Sequence, residues 1–268
     1  MRIMLILTLA IIGAAVFYQG IPYLHIVPAE AANGREISAQ ASDANIKNDH
    51  PVLLELFTSQ ACYSCPAAEA LLRELAIRPD VITLEYHVDY WNELVYGLAG
   101  RWKDPYSSPQ FTERQRDYNN ALRGSAKVYT PQIIINGAAE TVGSRKKEIE
   151  QAVTAAKDSG LRLSAWLKDN ILKIETGGAL PQETRLVLAR YLKRAETAVI
   201  SGENKGKNLV SYNVVTGLSH IKPAQDENGI IRNQILPLKA GEHCAVFAQD
   251  KKTMQIRAAT LCRPETTQ

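Results

Sequence analysis

The sequence predicts an α/β fold in two parts, the first mixing strands with helices and the second built from strands. Two mostly apolar segments, Val52–Phe57 and Val81–Tyr86, flank a stretch with helical periodicity, which predicts parallel strands joined by a crossover helix. After Leu161, short β-rich runs separated by turn residues predict an antiparallel β-sandwich-like domain. The 268 residues provide enough interior for both parts.

The N-terminal segment indicates export. Met1-Arg2 precedes an apolar run from Ile3 to Phe17, and Ala29-Glu30-Ala31 offers a cleavage site, so residues 1–31 are predicted to be a signal peptide. The alternative is an uncleaved anchor that tethers the chain to a membrane, although the apolar run falls short of the roughly 20 residues that span a bilayer. Residues 32–50 are polar and aperiodic, which predicts a flexible lead-in. We expect a periplasmic or secreted protein.

The charge pattern argues against nucleic acid as a partner. The net charge is +3, and the Lys and Arg residues are scattered among acidic residues without a basic stripe or interleaved aromatic residues. The sequence predicts no oligomeric state.

Two of the four cysteines stand at the junction of the first strand and the first helix. Cys62 and Cys65 lie in the segment "FTSQACYSCP", in which Pro66 suits the first turn of a helix. The positive end of a helix dipole stabilises a thiolate, so Cys62 is predicted to be the attacking nucleophile. Cys65, about one turn further, is predicted to resolve a mixed disulfide. We expect Cys62 to be the more exposed cysteine and Cys65 to be sheltered.

The remaining elements of the first part complete a recognisable order. Ser108 can cap a helix that ends at Gly124, Asn136-Gly137 predicts a hairpin turn, and Ser144 can cap a last helix. The order is strand, helix, strand, helix, hairpin and helix. Together with a Cys-x-x-Cys sequence at the first strand-to-helix turn, it resembles the thioredoxin fold, and residues 51–159 are predicted to be a thioredoxin-like domain.

The resemblance to the thioredoxin fold adds two candidate residues, and the strand order adds two more. Thr130–Pro131 stands where thioredoxin-like proteins carry a cis-proline facing the dithiol, which implies a dock for an extended partner segment. His87 and Asp89 follow the second strand and are expected on the same sheet edge as Cys62. For His87, structural hydrogen bonding, acid–base assistance and metal ligation all stay open.

The second part, residues 160–264, contains the other two cysteines. Cys244 and Cys262 flank the last predicted hairpin, and in an exported protein a structural disulfide is the leading interpretation over two separate thiols. A tight turn near Lys251 would set Cys244 opposite a residue three or four before Cys262, so the bridge requires a bulge or a frayed end. Seven strands are predicted here: Leu161–Leu167, Ile171–Glu175, Arg185–Leu192, Leu209–Val215, Gln234–Leu238, Ala245–Gln249 and Met254–Thr260.

Five motifs resemble a family of exported thioredoxin-like proteins catalogued as domain-of-unknown-function family 1223, with similarity from about Pro51 to the C-terminus. The motifs are "ELFTSQACYSCP", "HVDYW", "WKDPYSSPQFTERQRDY", "VYTPQIIINGAAETVGS" and "SGENKGKNLVSYNVV". The chain departs from the family at Ala61, Ala67 and Glu69, where Gly, Pro and Asp are usual. These changes bear on partner choice and redox potential, while the dithiol itself is retained.

These features predict a thiol–disulfide oxidoreductase that acts on protein thiols or disulfides without a cofactor or a resident metal. The first alternative is a metal-binding module that holds a soft ion such as Cu(I) through Cys62 and Cys65, with or without His87. The second is an exported binding protein that uses its β-rich part and performs no catalysis. Retention of Thr130–Pro131 favours the oxidoreductase, because metal delivery needs no dock for an extended peptide.

Overall fold

The computed structural model describes residues 50–94, 102–222 and 230–265, and its first part alternates strands with helices. The predicted signal peptide (1–31) and all of the predicted lead-in except His50 lie outside these residues. The elements are β1 (Val52–Thr58), α1 (Cys65–Leu75), β2 (Val81–His87), α2 (Trp91–Leu94), α3 (Pro109–Arg123), β3 (Gln132–Ile135), β4 (Ala139–Val142) and α4 (Lys146–Ala155). Among the described helices none is long and apolar enough to cross a membrane.

Local sequence accounts for most of these boundaries. Strands β1 and β2 are buried along their whole length and pair in parallel, as their continuous apolar character predicts. The hydroxyl of Ser108 accepts a hydrogen bond from the backbone of Gln110 and begins α3, and Gly124 ends it with a φ of 64°. The prediction for the last helix was wrong by one residue, because Arg145 and not Ser144 is the N-cap of α4.

The described residues of the second part, 160–222 and 230–265, form seven strands, two of which are much longer than predicted. They are β5 (Ser164–Lys168), β6 (Ile171–Glu175), β7 (Thr184–Ala198), β8 (Asn208–Ile221), β9 (Ile230–Ile235), β10 (Glu242–Asp250) and β11 (Ile256–Pro264). The end of β7 alternates exposed Arg194 and Glu196 with inward-facing Ala195 and Thr197. These small or polar residues carry a weak strand signal, which explains the early predicted end at Leu192.

One sheet continues across the boundary that was predicted at residue 159. Its strand order is β4-β3-β1-β2-β8-β7-β10-β11-β5-β6-β9. Strand β8 is joined to β2 in parallel through the bridge between Glu85 and Val214, and β11 is joined to β5 in parallel. The second part is therefore mainly antiparallel but is attached to the first part through the sheet itself.

Three hydrophobic clusters fill the spaces between the layers. Alternate β1 residues point to opposite faces: Leu54 packs with α1 and α4, whereas Leu53 packs with α3 and with the face of β7, β10 and β11. The other face of β7 and β10 packs against β5 and β6. Strands β7 and β10 therefore pack on both faces, against β5 and β6 on one face and against the first part on the other.

A buried ion pair lies where the two parts pack together. The guanidinium of Arg114 in α3 donates to both carboxylate oxygens of Glu55 in β1, at 2.8 and 3.0 Å. It also donates to Gln249 of β10 at 3.2 Å, and the hydroxyl of Tyr118 donates to Glu55. Burial disfavours the charge on Arg114, but the facing carboxylate of Glu55 outweighs burial and raises the pKa of Arg114. The hydrogen bonds of this pair connect β1, α3 and β10 of the second part.

We expect Arg114→Met to destabilise the protein by about 3–5 kcal/mol, because it leaves the buried carboxylate of Glu55 without its partner. The free energy of unfolding measured by urea denaturation checks this value. The matched control is Arg116→Met in the same helix, since Arg116 pairs with Glu113 at the surface and should change stability by no more than about 1 kcal/mol. Equal losses in the two variants would contradict the role given to the buried pair.

Candidate functional site

The two cysteines of the first part form a disulfide at the C-terminal end of β1. Their Cα atoms are 5.4 Å apart. Cys65 is the first residue of α1, and its backbone N–H donates to the carbonyl of Cys62 at 3.2 Å. The first turn of the helix contains no acidic residue that would oppose the positive end of its dipole. The disulfide therefore lies in the electrostatic setting that stabilises a cysteine thiolate.

Cys65 is sheltered, as expected, and Cys62, which was expected to be the more exposed of the two, is almost equally buried. Cys62 is 1% exposed and Cys65 0%, whereas Tyr63 between them is 70% exposed. The loop between β7 and β8, in the second part of the chain, is bonded to the turn that carries Cys62. We call residues 200–207 the strap.

Asn204 of the strap holds the turn through two backbone carbonyls. Its side-chain amide donates to the carbonyl oxygen of Gln60 at 3.0 Å and to that of Cys62 at 2.8 Å. Its own amide oxygen accepts from the ammonium of Lys207 at 2.8 Å. Asn204 is fully buried although its neighbours on the strap are exposed. A buried amide with this many partners fixes the position of the groups that it contacts.

A second strap residue bonds to the same turn. The backbone N–H of Glu203 donates to the carbonyl of Ala61 at 3.2 Å, and its carboxylate accepts from the backbone N–H of Tyr63 at 2.8 Å. The ammonium of Lys207 lies 5.1 Å from the centre of the Tyr63 ring. Farther along β8, Ser211 accepts from the side-chain amide of Gln60 at 3.0 Å. Four consecutive residues of the turn, 60–63, are thus bonded to the second part.

Thr130 and Pro131 lie beside the first turns of α1. The peptide bond between them is cis. A Cβ added to Gly143 would stand 3.3 Å from the Cβ of Pro131 and 2.9 Å from that of Ala68, so these two side chains face the same narrow space. The indole N–H of Trp91 donates to the hydroxyl of Thr130 at 2.7 Å. Gly143 is therefore required for the close approach of this segment to α1.

His87 lies next to the disulfide turn and is held by two carboxylates. It is the last residue of β2 and is paired in register with Thr58, the last residue of β1. Its Nδ1 lies 2.8 Å from Asp104 and its Nε2 lies 2.8 Å from Glu85. Burial alone lowers the pKa of His87, but the two carboxylates outweigh burial and raise the pKa well above its ordinary value. The two carboxylates thus favour the protonated ring, in which both nitrogens donate.

Asp104 connects His87 to the turn that carries the dithiol. Its carboxylate accepts from the backbone N–H of Gln60 at 2.8 Å and from that of Tyr106 at 3.1 Å. Burial raises its pKa, but the charge of His87 and these hydrogen bonds prevail and lower the pKa below the ordinary value. The charged form of Asp104 thus holds the turn at the N–H of Gln60, while Asn204 of the strap holds it at the carbonyls of Gln60 and Cys62.

Glu69 adds a protonated carboxyl to this buried group. It lies in α1, one turn beyond Cys65, and accepts a hydrogen bond from Thr58 at 2.6 Å. Burial and the nearby charge of Glu85 raise the pKa of Glu69 to about 8. The carboxyl is therefore neutral at pH 7, which avoids a third negative charge beside Glu85 and Asp104.

Asp89 is oriented toward α3. Its carboxylate accepts from the hydroxyl of Thr112, and its backbone N–H donates to the same hydroxyl at 3.2 Å. None of the hydrogen bonds described for Asp89 joins it to the dithiol turn. Asp89 positions the connection to α3, unlike His87, which the structure brings to the turn.

Several site residues were missed in the sequence, although a signal was present for each. Glu85 is a charge inside an apolar strand, which is a sign of a buried partner. Asp104 and the strap residues Glu203 and Asn204 fall in two of the quoted motifs. Glu69 is a departure from the family pattern. The sequence did not show that these residues lie together around the dithiol turn.

The second disulfide joins Cys244 and Cys262, whose Cα atoms are 5.3 Å apart. Ala245 pairs with Leu261, and a bulge between Ala248 and Gln249 shifts the register between β10 and β11. This bulge supplies one residue of the offset that counting from the turn required. The rest arises because the turn is centred beyond Lys251: Gln249 pairs with Ile256, and the backbone N–H of Asp250 donates to the carbonyl of Gln255. Cys262 also pairs with β5, so the bridge lies at the point where β11 passes from β10 to β5.

The geometry of His87 bears on metal binding. Both of its ring nitrogens are occupied by carboxylates, so neither is directed at the cysteine sulfurs as a ligand. Within residues 50–94, 102–222 and 230–265, no group of three or more His, Cys, Asp and Glu side chains is arranged to hold a metal ion.

We expect Glu69→Gln to remove part of the pH dependence of stability. A folded-state pKa of about 8, above the ordinary 4.5, favours the protonated folded form. The stabilisation is complete below about pH 4.5 and is lost as the pH rises toward 8, with a slope of at most about 1.4 kcal/mol per pH unit. Urea denaturation from pH 5 to 9 should show the wild type losing stability relative to Glu69→Gln. Glu74→Gln, exposed on the same helix, is the control and should follow the wild type; parallel curves for all three proteins would refute the assignment.

Comparisons with known proteins place the chain in a family. Residues 53–249 match the family described as "Protein of unknown function (DUF1223)". The chain is similar to the protein AGR_C_4864 from Agrobacterium tumefaciens, known from an X-ray crystal structure, with 28% identity, a TM-score of 0.65 and coverage of 81% of this chain and 96% of the other. No curated protein matches the chain significantly. The match over most of its length shows that the chain belongs to the DUF1223 family.

Proposed function

We propose that this protein is an extracytoplasmic thiol–disulfide oxidoreductase with a thioredoxin-like first part, which exchanges the Cys62–Cys65 disulfide with protein thiols or disulfides. The observation that carries the proposal is the position of this disulfide, at the turn from a buried parallel strand into a helix N-terminus. That position lowers the pKa of an attacking thiol.

The topology of the first part supports the thioredoxin-like assignment. Its strands follow the order β4-β3-β1-β2, with β1 and β2 parallel and β3 and β4 antiparallel to their neighbours. The elements occur in the chain order that the resemblance implies, apart from the short α2 before α3. Thr130–Pro131 beside α1 completes the arrangement.

The exchange reaction follows from the order of the two cysteines. In the reducing direction, the Cys62 thiolate attacks one sulfur of a partner disulfide, and the other partner sulfur leaves as a thiolate and takes up a proton. The Cys65 thiolate then attacks Cys62, which releases the second partner thiolate and forms the Cys62–Cys65 disulfide. Two electrons pass from the dithiol to the partner. In the oxidising direction the same steps run in reverse, starting from the disulfide that the structure contains.

The neighbouring groups have defined roles in this scheme. Thr130–Pro131 would present backbone groups to an extended partner segment while its sulfur is attacked. Glu69, with a pKa of about 8, exchanges its proton in the pH range in which cysteine thiols titrate. His87 and Asp104 position the turn through Gln60.

The metal-binding alternative has less support, because the two ring nitrogens of His87 contact Asp104 and Glu85 and are not directed at the cysteine sulfurs. The alternative of a binding protein without catalysis gives no account of the dithiol.

For the compartment, the predicted signal peptide supports export, and two disulfides suit an oxidising environment.

We expect the reduced protein to be oxidised by glutathione disulfide at Cys62 and Cys65, which forms the Cys62–Cys65 disulfide and two molecules of reduced glutathione. Cys62→Ser should abolish the exchange, and Cys65→Ser should accumulate a mixed disulfide at Cys62, because the resolving thiol is missing. Mass spectrometry of acid-quenched samples measures both species. The control is the double variant Cys244→Ser and Cys262→Ser, which should retain the exchange.

Three results would contradict the proposal: no exchange in the wild type, faster alkylation of Cys65 than of Cys62 in the reduced protein, or Cu(I) that stays bound through purification and is lost in His87→Ala. The third result would establish the metal-binding function instead.

A further inference from the structure

The strap has no role in the exchange chemistry described above, yet its polar contacts concentrate on the turn that carries Cys62. Through Asn204 and Glu203 it bonds to Gln60, Ala61, Cys62 and Tyr63. A hairpin loop that only closes two strands needs no such contacts. The two strands extend well beyond their predicted ends, and this extension carries the strap to the dithiol.

The contacts of Asn204 differ from ordinary loop bonding in two respects. The strap is otherwise exposed at Glu203, Lys205, Gly206 and Lys207, but Asn204 is fully buried. One amide group also joins two separate carbonyls of the same turn, one of them on Cys62 itself. Release of Asn204 would remove one of the two strap residues bonded to the turn, together with its hydrogen bond to the Cys62 carbonyl.

The dithiol is inaccessible in this arrangement. Cys62 is 1% exposed and Cys65 is 0% exposed, so an attacking sulfur on a folded partner has no direct path to either of them. A small thiol needs only a local fluctuation to reach Cys62, whereas a polypeptide must displace the neighbouring loop. The strap therefore distinguishes partners by size.

We infer that Asn204 is the latch of a gate: the strap from residue 200 to residue 207 must open before the Cys62–Cys65 pair can exchange with a protein. This inference rests on the proposed function and adds the regulation of the same site. In the closed state the Asn204 amide holds the carbonyls of Gln60 and Cys62, and in the open state both carbonyls are solvated. The populations of the two states set the rate of exchange with macromolecular partners.

The gate is tested by the size dependence of alkylation at Cys62. The background is Cys65→Ser, in which Cys62 is the free thiol of the pair, and the probes are N-ethylmaleimide and a maleimide that carries a long polyethylene glycol chain. Both probes use the same reacting group, so the ratio of their rates isolates access from thiol reactivity. We expect Asn204→Ala to raise the rate of the bulky probe about tenfold, which corresponds to ~1.4 kcal/mol, with a much smaller change for the small one.

Two further variants separate the latch from general damage to the fold. Asn204→Asp keeps the shape but replaces the donor with a carboxylate that repels both carbonyls, so it should open the strap at least as far as Asn204→Ala. Gly206→Ala leaves the latch intact and strains the strap, because Gly206 has a φ of +85° in open space. If Asn204→Ala does not fold, Gly206→Ala takes its place in the test and should also raise the rate of the bulky probe. Lys205→Ala, exposed on the strap, is the control and should match the wild type.

The outcomes distinguish the gate from the proposed function. An increase confined to the bulky probe in the Asn204 variants, with glutathione exchange intact in the Cys65-containing wild type, supports the gate. Equal probe ratios in the control and in the Asn204 variants overturn the gate while the exchange activity stands. Size selection without any glutathione exchange overturns both the proposed function and the gate as its regulator.

Discussion

The contact between the Asn204 amide and the backbone of the dithiol turn is the interaction on which the arrangement of the site depends. It joins residues that are 142 and 144 positions apart in the chain. Because the amide is buried, each of its hydrogen bonds must be made for the closed arrangement to be stable. The hairpin of β7 and β8 is long enough to bring Asn204 to Cys62.

The same dependence on the second part is seen in the interior. Glu55 of β1 and Arg114 of α3 form an ion pair that also bonds to Gln249 of β10. A buried pair of this kind holds its partners in one geometry, because a shift would leave a charge unpaired in a medium of low dielectric. The first part therefore has its sheet, its third helix and its dithiol turn all bonded to the second part. A role for the second part at the Cys62–Cys65 site follows from these contacts more directly than a role as a separate binding platform.

The electrostatics of the site divide into two layers. In the buried layer, Glu85 and Asp104 favour the charged form of His87, and Glu69 has a raised pKa. In the exposed layer, the carboxylate of Glu203 and the ammonium of Lys207 lie near Tyr63. The buried layer responds to pH through Glu69 and His87, whereas the exposed layer is screened by salt.

A cavity of about 490 Å³, lined by residues that include Ala139, Lys157 and Ile256, lies near the start of β1. It is separated from the dithiol by the length of that strand, roughly 20 Å at the usual rise per residue.

Sequence reasoning was sufficient for the local features of the chain. The strand that precedes the dithiol, the helix that follows it, the Ser108 cap and the Asn136-Gly137 hairpin are encoded by residues close together in the sequence. The placement of His87 next to the turn follows equally from strand order. Only the tertiary structure decided that Cys62 is buried and that Asn204, 142 positions away, bonds to its carbonyl, because contacts between distant segments leave no local signal in the sequence. It also decided the partners of Glu85, Glu69 and Asp104, since side-chain pairing across a core depends on the packing of distant elements and leaves no periodic signal in the chain.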